Sequence, residues 1–381
     1  MMNNMKKIFL LGAMVCALGL RVSAQNKYEM DCRIEGDSLF VKVDCVFEKE
    51  YPEVDFFLLT NTANIRMDDT AYTYSQKEDT VRFENMPLPK YFRMCYILSL
   101  KDYQTSDGAI VLRREGNWYP HRNGELLTAD VDVKTDGYYI IGGSETKPSF
   151  GLHLILLPKD KYECRVIDDE VRPFYFYQNA SDTVEHPATF YREFVDSYVF
   201  YCSFFGDSLS SQPMNIVEIG DPQFMMCQSL RDMIIFGPYF LQVYKMIPDF
   251  SWVPHEVAHQ WWGNSIFFEH RDYALGESLN EYIKLQFLKS RGRGYEEQMG
   301  YYTAMKDRAA QSLPIADIRS VESQDESIAI YHTAPLLLEQ MKDVDVADLL
   351  IRLYKEEKRK KVTRDIFAQK CKPLQAWLNA E

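Results

Sequence analysis

The segment HEVAH, residues 255–259, restricts the fold of this chain more than any other stretch. Residues four apart lie on one face of an α-helix, so His255 and His259 can present both imidazoles to a single metal ion. Glu256 then projects toward the side where a water on that metal would lie. The pattern predicts a zinc site built on a helix over residues 254–263.

Such a site needs a partner from elsewhere in the chain, because zinc in a hydrolase takes three protein ligands and keeps one position open for water. The downstream residues with suitable side chains are Glu269, His270, Asp272, Glu277 and Glu281. Glu277 and Glu281 are four apart on a predicted helix over residues 276–290, so they share a face. Helix geometry alone leaves both of them open as the third ligand.

Hydrophobic periodicity divides the chain near Pro173. Before it, short alternating runs predict strands at residues 38–47, 54–60, 92–100, 128–135, 138–143 and 151–158. After it, a strand at 214–220 is accompanied by predicted helices at 186–206, 254–263, 276–290, 293–312, 330–342, 345–358 and 363–379. We therefore predict an α+β protein, with an N-terminal all-β domain over residues 25–167 and a mainly helical domain over residues 168–381 that contains the HEVAH segment and would be the catalytic domain if the zinc site is present.

The first 24 residues have the organisation of a secretory signal peptide. Lys6 and Lys7 precede an apolar segment over residues 8–20, and small residues follow at 22–24. The apolar segment is too short to cross a bilayer as a helix. The sequence predicts export through this signal, and hence a periplasmic or secreted protein.

Other forms of membrane attachment are less favoured by the sequence. No run of about 18 apolar residues occurs, so we predict no transmembrane helix. Cys16 is a conceivable lipidation site, but Met14 and Val15 before it lack the small side chains that such a site needs.

The balance of charge argues against nucleic acid as a partner. Without residues 1–24 the chain has 40 basic and 56 acidic side chains, a formal net charge of −16. So acidic a protein is repelled by a phosphate backbone. The oligomeric state is not readable from the sequence.

The segment HEVAHQWWGNSI resembles the zinc helix of the aminopeptidase N and leukotriene-hydrolase-like family of gluzincins, which reads HExxHQWxGN. The resemblance implies one Zn²⁺ ion and hydrolysis of peptide or protein substrates. It also implies an N-terminal all-β domain followed by a thermolysin-like, mainly helical zinc metallopeptidase domain. The expected member is a short bacterial form without the large C-terminal helical domain of many relatives.

The same resemblance favours Glu277 as the third ligand. The family ligand lies in the pattern L-N-E-G-x-x-x-Y, and residues 275–282 match it when Tyr282 takes the tyrosine position. The spacer of 17 residues after His259 is one shorter than is usual in the family. A literal L-N-E at 279–281 would make Glu281 the ligand, but that spacer is too long and the tyrosine is lost.

Two catalytic roles follow from the resemblance. Glu256 would be the general base that takes a proton from the attacking water. The family also has a tyrosine in a Y-x-K-G-x-x-L-L segment that stabilises the tetrahedral intermediate, and IYHTAPLLLEQM places Tyr331 there. In this chain Thr333 and Ala334 replace the Lys-Gly of that pattern.

One departure concerns how a substrate would be held. Exopeptidases of the family bind the free α-amine with a glutamate in a G-x-M-E-N strand, but Cys227 and Gln228 stand at the Glu-Asn positions here. Exopeptidase and endopeptidase activity both stay open for this reason. The alternatives to a peptidase are a non-catalytic binding protein that keeps the zinc fold, and a zinc hydrolase of a non-peptide substrate.

Overall fold

The computed structural model describes residues 26–47, 54–58, 66–67, 73–77, 80–84, 90–122, 125–180, 188–246, 252–268 and 270–380. The predicted signal peptide, residues 1–24, lies outside them. The chain forms two compact units. The first comprises the described residues up to Ser99, with Arg113–Lys134 and Gly143–Leu152, and the second comprises Leu100–Leu112, Thr135–Gly142 and His153 onward.

The strands in chain order are β1 (Asn26–Glu35), β2 (Ser38–Val46), β3 (Val54–Phe57), β4 (Arg66–Met67), β5 (Thr73–Lys77), β6 (Thr80–Glu84), β7 (Tyr91–Ser99), β8 (Ile110–Leu112), β9 (Leu127–Lys134), β10 (Tyr138–Gly142), β11 (Glu145–Ser149), β12 (Leu154–Pro158), β13 (Tyr162–Ile167), β14 (Phe174–Asn179), β15 (Met214–Glu218), β16 (Cys227–Leu230) and β17 (Met233–Phe236).

The helices in chain order are α1 (Ala188–Phe205), α2 (Pro238–Met246), α3 (Val253–Ala258), α4 (Tyr273–Arg291), α5 (Tyr295–Lys306), α6 (Gln324–Ile328), α7 (Ala334–Glu339), α8 (Val346–Glu357), α9 (Arg364–Lys370) and α10 (Gln375–Leu378). A π-helical segment, Ala329–Thr333, joins α6 to α7. None of the helices in the described part of the chain is long and apolar enough to cross a membrane.

The first unit is built on a six-stranded sheet with the order β11-β9-β1-β2-β7-β4 and a three-stranded sheet with the order β3-β6-β5. Strands β1 and β2 pair antiparallel through a two-residue turn, in which Gly36 has φ +57°. Along β1 the side chains of Tyr28, Met30 and Cys32 are buried while those between them are exposed. This period-two burial gives the sheet one apolar face.

The second unit contains a five-stranded sheet with the order β13-β14-β15-β17-β16, whose central strands are parallel, and a smaller sheet with the order β10-β12-β8. Helix α1 connects two parallel strands, β14 and β15. Its Phe190, Phe194, Tyr198 and Tyr201 are all buried. These aromatic residues are core packing, as their helical spacing indicates.

The architecture confirms the predicted α+β class, with β-sheets first and a mainly helical region after them. The units nevertheless interleave along the sequence: residues 100–112, 135–142 and 153–167, which the prediction assigned to the N-terminal domain, belong to the second unit. The alternation of apolar and polar residues along a strand indicates which side chains are buried, but it does not indicate which of two hydrophobic cores the strand belongs to. The boundary at residue 167 stays a prediction.

Several predicted helices differ in extent from the observed ones: the helix predicted over 293–312 ends at Lys306, and the one predicted over 330–342 is a π-helical segment followed by α7. Two further differences have a local cause. Helix α3 ends at Ala258, although the prediction continued it to residue 263, because the chain turns sharply and Gly263 takes φ +140°. The single helix predicted over 363–379 is two helices, α9 and α10, separated by a turn that contains Pro373. Proline lacks the N–H that a continuous helix needs.

Candidate metal centre

Helices α3 and α4 bring three of the predicted site residues together. The Nε2 atoms of His255 and His259 lie 3.0 Å apart. Glu277, one turn into α4, places Oε2 3.2 Å from His255 Nε2 and Oε1 3.6 Å from His259 Nε2. Among the described residues this is the one group of three or more His, Cys, Asp or Glu side chains arranged to hold a metal ion.

The geometry of this trio suits zinc. Zinc bonds of about 2.0–2.2 Å in a tetrahedral arrangement put neighbouring ligand atoms about 3.3–3.6 Å apart, close to the separations found here. Two imidazoles and one carboxylate also form a donor set that catalytic zinc sites use. The three residues therefore fit a metal ion with one open position.

Electrostatics in the trio favour the ionised carboxylate. Burial raises the pKa of Glu277, but the imidazoles of His259 and His255 outweigh it and hold the pKa well below its usual range. Burial lowers the pKa of His255, but the carboxylates of Glu281 and Glu277 outweigh it and raise the pKa to about 10. The negative charge of the trio thus attracts a cation, whether a proton or a metal ion.

The turn after α3 fixes the ring of His259. Its Nδ1 lies 3.2 Å from the carbonyl oxygen of Trp262, which also accepts from Asn280 Nδ2 at 2.7 Å. At Gly263 a Cβ atom would come within 3.0 Å of His259 Nδ1. A glycine is therefore required here for two reasons, the φ of +140° and the close approach of the imidazole.

The polar residues that follow the histidines tie α3 to strand β16. Gln260 accepts from the N–H of Asp232 at 2.9 Å and donates to Ser229 Oγ and to the carbonyl of Leu230, both at 2.7 Å. Asn264 Nδ2 adds a bond to the carbonyl of Ser229 at 3.3 Å. The Gln and Asn of the HEVAHQWWGN segment thereby hold the sheet edge beside the metal helix.

Strand β16 consequently brings Cys227 to Glu256. The thiol donates a hydrogen bond to the Glu256 carboxylate, and burial followed by the charge of Glu256 raises the pKa of Cys227 well above its usual value. Cys227 is the residue that the sequence resemblance aligns with the amine-binding glutamate of the exopeptidases. A neutral thiol stands next to the candidate base.

Glu281, the alternative third ligand, lies on the side of the His255 ring opposite to His259 and Glu277. Its Oε1 is 2.7 Å from His255 Nδ1, whereas Glu277 faces Nε2. Burial raises the pKa of Glu281, but Lys284 and His255 outweigh it and hold the pKa well below its usual range. Helix geometry alone left Glu277 and Glu281 open as the third ligand. In the structure each carboxylate lies beside a different ring nitrogen of His255, Glu277 beside Nε2 and Glu281 beside Nδ1.

Tyr331 reaches the trio from the π-helical segment. Its ring centroid is 6.2 Å from that of His255, and its hydroxyl shares a short hydrogen bond with the hydroxyl of Tyr273, the first residue of α4. Burial and then the Glu277 carboxylate raise the pKa of Tyr331, so the hydroxyl keeps its proton. Tyr331 is a hydrogen-bond donor beside the trio.

Of the other candidate ligands, Asp272 does not join the trio. Asp272 is buried and pairs with Arg364, whose Nε lies 3.3 Å from Asp272 Oδ1. Glu269 lies outside the described residues. His270 begins a 3₁₀ turn, His270–Asp272, before α4.

Solved structures share this architecture. An M1 zinc metallopeptidase from Deinococcus radiodurans matches with a TM-score of 0.67 and 14% identity over 94% of this chain and 93% of that one. A mutant of an M1 zinc metallopeptidase from the same organism, bound to a Tyr-Ser-Ala substrate, matches with a TM-score of 0.68 and 15% identity over 93% and 94%.

A mutant two-domain M1 zinc metallopeptidase bound to L-arginine matches with a TM-score of 0.70 and 15% identity over 94% of each chain. No protein-family model and no curated protein sequence matches the chain. At such low identity the likeness concerns the fold. The chain has the fold of the two-domain M1 zinc metallopeptidases.

Proposed function

We propose that this protein is a zinc-dependent peptidase whose zinc ion is held by His255, His259 and Glu277. The observation that carries the proposal is the convergence of these three side chains, with ligand atoms all within 4.8 Å of one another, on a metallopeptidase fold. The spacing of the ligand atoms and the donor set support zinc as the metal.

In the proposed reaction each residue has one task. A bound zinc ion would act as a Lewis acid and lower the pKa of a coordinated water molecule. Glu256 accepts the proton of the attacking water and passes it to the leaving amine. Tyr331 donates a hydrogen bond to the oxyanion that develops on the substrate carbonyl, a contact that strengthens in the transition state.

The proposed substrates are peptides, with a free N-terminus not required. The Tyr-Ser-Ala substrate in a structure of the same fold supports peptides as the class. Cys227 donates to Glu256 at the strand position where the resembled exopeptidases have an anionic anchor. A thiol offers no charge to pair with an α-ammonium group, so blocked or internal peptide segments should also be cleaved.

The test combines metal content with a library of quenched peptides, each made with a free and with an acetylated N-terminus. We expect one zinc per chain and similar cleavage of both forms, with Glu256→Gln as the inactive control. Cleavage of free peptides alone would identify an aminopeptidase instead. Zinc without cleavage of any peptide would favour a non-catalytic binding protein or a hydrolase of other substrates, and a chain without zinc would refute the proposal.

We also propose that residues 1–24 direct export and are then removed. The basic start, the short apolar segment and the small residues at 22–24 support this. Expression of the full chain in a bacterium, followed by fractionation and N-terminal sequencing, should give a mature protein that begins at Gln25. A cytoplasmic protein with an intact N-terminus would contradict the proposal.

A further inference from the structure

The imidazole of His255 has an acidic partner on each of its two nitrogen atoms. Nε2 faces His259 and Glu277, and Nδ1 lies 2.7 Å from Oε1 of Glu281. The side chains of His255 and Glu281 are each 9% exposed. The contact between them is therefore shielded from water and from salt.

The second oxygen of Glu281 is held as well. Lys284 Nζ donates to Oε2 at 3.0 Å, and the hydroxyl of Tyr302 donates a short hydrogen bond to the same atom. Lys284 and Tyr302 are both buried. With a cation and a hydroxyl fixing one oxygen, the other oxygen of Glu281 has a defined position opposite the ring of His255.

A second buried acidic residue on a neighbouring helix provides a comparison. Glu193 of α1 pairs with Arg291 at the end of α4, and its side chain is 6% exposed. That pair joins two helices and has no described contact with the metal trio. Glu193 is thus a buried, paired carboxylate with a structural role. Glu281 differs from Glu193 because it faces His255, a candidate metal ligand.

A histidine binds a metal through the ring nitrogen that lacks a proton, so an acceptor at the other nitrogen selects the tautomer and the ring orientation. We infer that Glu281, held by Lys284 and Tyr302, is a positioning residue that fixes His255 with Nε2 directed at the metal. The inference rests on the proposed function, because it assigns His255 to a zinc ion. Glu281 itself is not one of the three residues that would hold the zinc ion.

The test compares Glu281→Gln, Glu281→Asp and Tyr302→Phe with the matched control Glu193→Gln in the full chain. The readouts are zinc affinity by competition with a chelator, the visible spectrum of the Co²⁺-loaded protein and the thermal unfolding of the metal-free protein. We expect Glu281→Gln to lose about 10–100-fold in zinc affinity, with a changed Co²⁺ spectrum. Glu281→Asp should lose less, because it keeps an anionic acceptor.

The remaining variants separate positioning from general stability. Tyr302→Phe removes one hydroxyl and keeps the ring, so it should fold and should weaken zinc binding by several-fold. Glu193→Gln should lower the unfolding temperature and leave zinc affinity within twofold of the wild type. If Glu281→Gln fails to fold, Tyr302→Phe decides: weaker zinc binding supports the inference, and unchanged binding overturns it.

Two negative results have different meanings. Equal zinc affinity of the wild type and of folded Glu281 variants overturns this inference and leaves the proposed function intact. A wild-type protein that binds no zinc overturns the proposed function, and this inference with it.

Discussion

The sheet of the first unit and the α3–α4 helix pair of the second bury different kinds of side chain. In strand β1 the buried positions include Tyr28, Met30 and Cys32, and the charged residues between them face water. Between α3 and α4 the buried positions include ionisable groups, among them His255 and Glu281. The buried residues of the sheet are mainly apolar, whereas those between the two helices include a cluster of ionisable groups.

Burying ionisable side chains between α3 and α4 has a free-energy cost that burying apolar side chains in the sheet does not have. Burying apolar area stabilises a fold by about 25 cal/mol per Å², whereas burying a charge is unfavourable unless it is closely paired. A paired charge cluster therefore adds little stability, and the cluster around His255 is best explained by what it binds. Mutations in the sheet should change stability and leave the activity of each folded molecule unchanged, whereas mutations of the site residues in the helix pair should change activity as well.

The largest effect is expected for Glu256→Gln. The amide cannot accept the proton of the attacking water, so hydrolysis of quenched peptides should fall by about 10²–10⁴-fold. Zinc content and unfolding temperature should match the wild type, because Glu256 is not one of the three converging residues. A variant with wild-type turnover would show that the assigned base is wrong.

Tyr331→Phe should follow, with a loss of about 10²–10³-fold in kcat. The hydroxyl is expected to act on the oxyanion, so KM for the peptide and the zinc content should stay near their wild-type values. Tyr239→Phe, an exposed tyrosine on α2, is the control for loss of a hydroxyl. A rise in KM without a fall in kcat would assign Tyr331 to substrate binding instead.

Gly263→Ala should have an intermediate effect, measured as zinc affinity. The added Cβ atom would come 3.0 Å from His259 Nδ1 and displace the imidazole, so affinity should fall about tenfold. Gly292→Ala is the matched control, because Gly292 also has a positive φ but nothing lies within 4 Å of its Cβ position.

Both glycine variants should lose about 1 kcal/mol or more of unfolding free energy, from backbone strain. Only Gly263→Ala should lose zinc affinity. Equal zinc affinity in the two would show that the turn after α3 does not control the ring of His259.

The smallest effect on hydrolysis is expected for Leu39→Ala in β2. Leu39 is completely buried in the sheet of the first unit, so its truncation should cost about 2–5 kcal/mol of unfolding free energy in urea titrations. Activity per folded molecule and zinc affinity should be unchanged. A loss of zinc affinity in the folded variant would contradict the separation of the two regions.

The fold class and the two histidines of the metal trio were accessible from the sequence because both depend on local periodicity. Alternation predicts strands such as β2, and the i, i+4 spacing of His255 and His259 puts them on one helix face whatever the rest of the chain does. The choice between Glu277 and Glu281 was different. Both lie on one face of α4, and only the way α4 packs against α3 decides which carboxylate meets Nε2.

The contacts that sequence reasoning missed all join distant segments. Strand β16 is too short to have a clear period, and the Cys227–Glu256 hydrogen bond depends on how Gln260 attaches that strand to α3. Tyr302 lies on the next helix, and its contact with Glu281 leaves no pattern in the chain. The one feature of the sequence that could have indicated the contacts of Glu281 is a charged residue, Lys284, on the buried face of a predicted helix.

Because Tyr331 lies in the π-helical segment Ala329–Thr333, the direction of its side chain depends on the number of residues in that segment as well as on their identity. A π turn holds one residue more than an α turn, and each residue of an α-helix turns the chain by about 100°. Deletion of one residue in this segment would restore a regular helix from α6 to α7. The helix would survive and every side chain but the deleted one would remain, yet the hydroxyl of Tyr331 would turn away from the histidines.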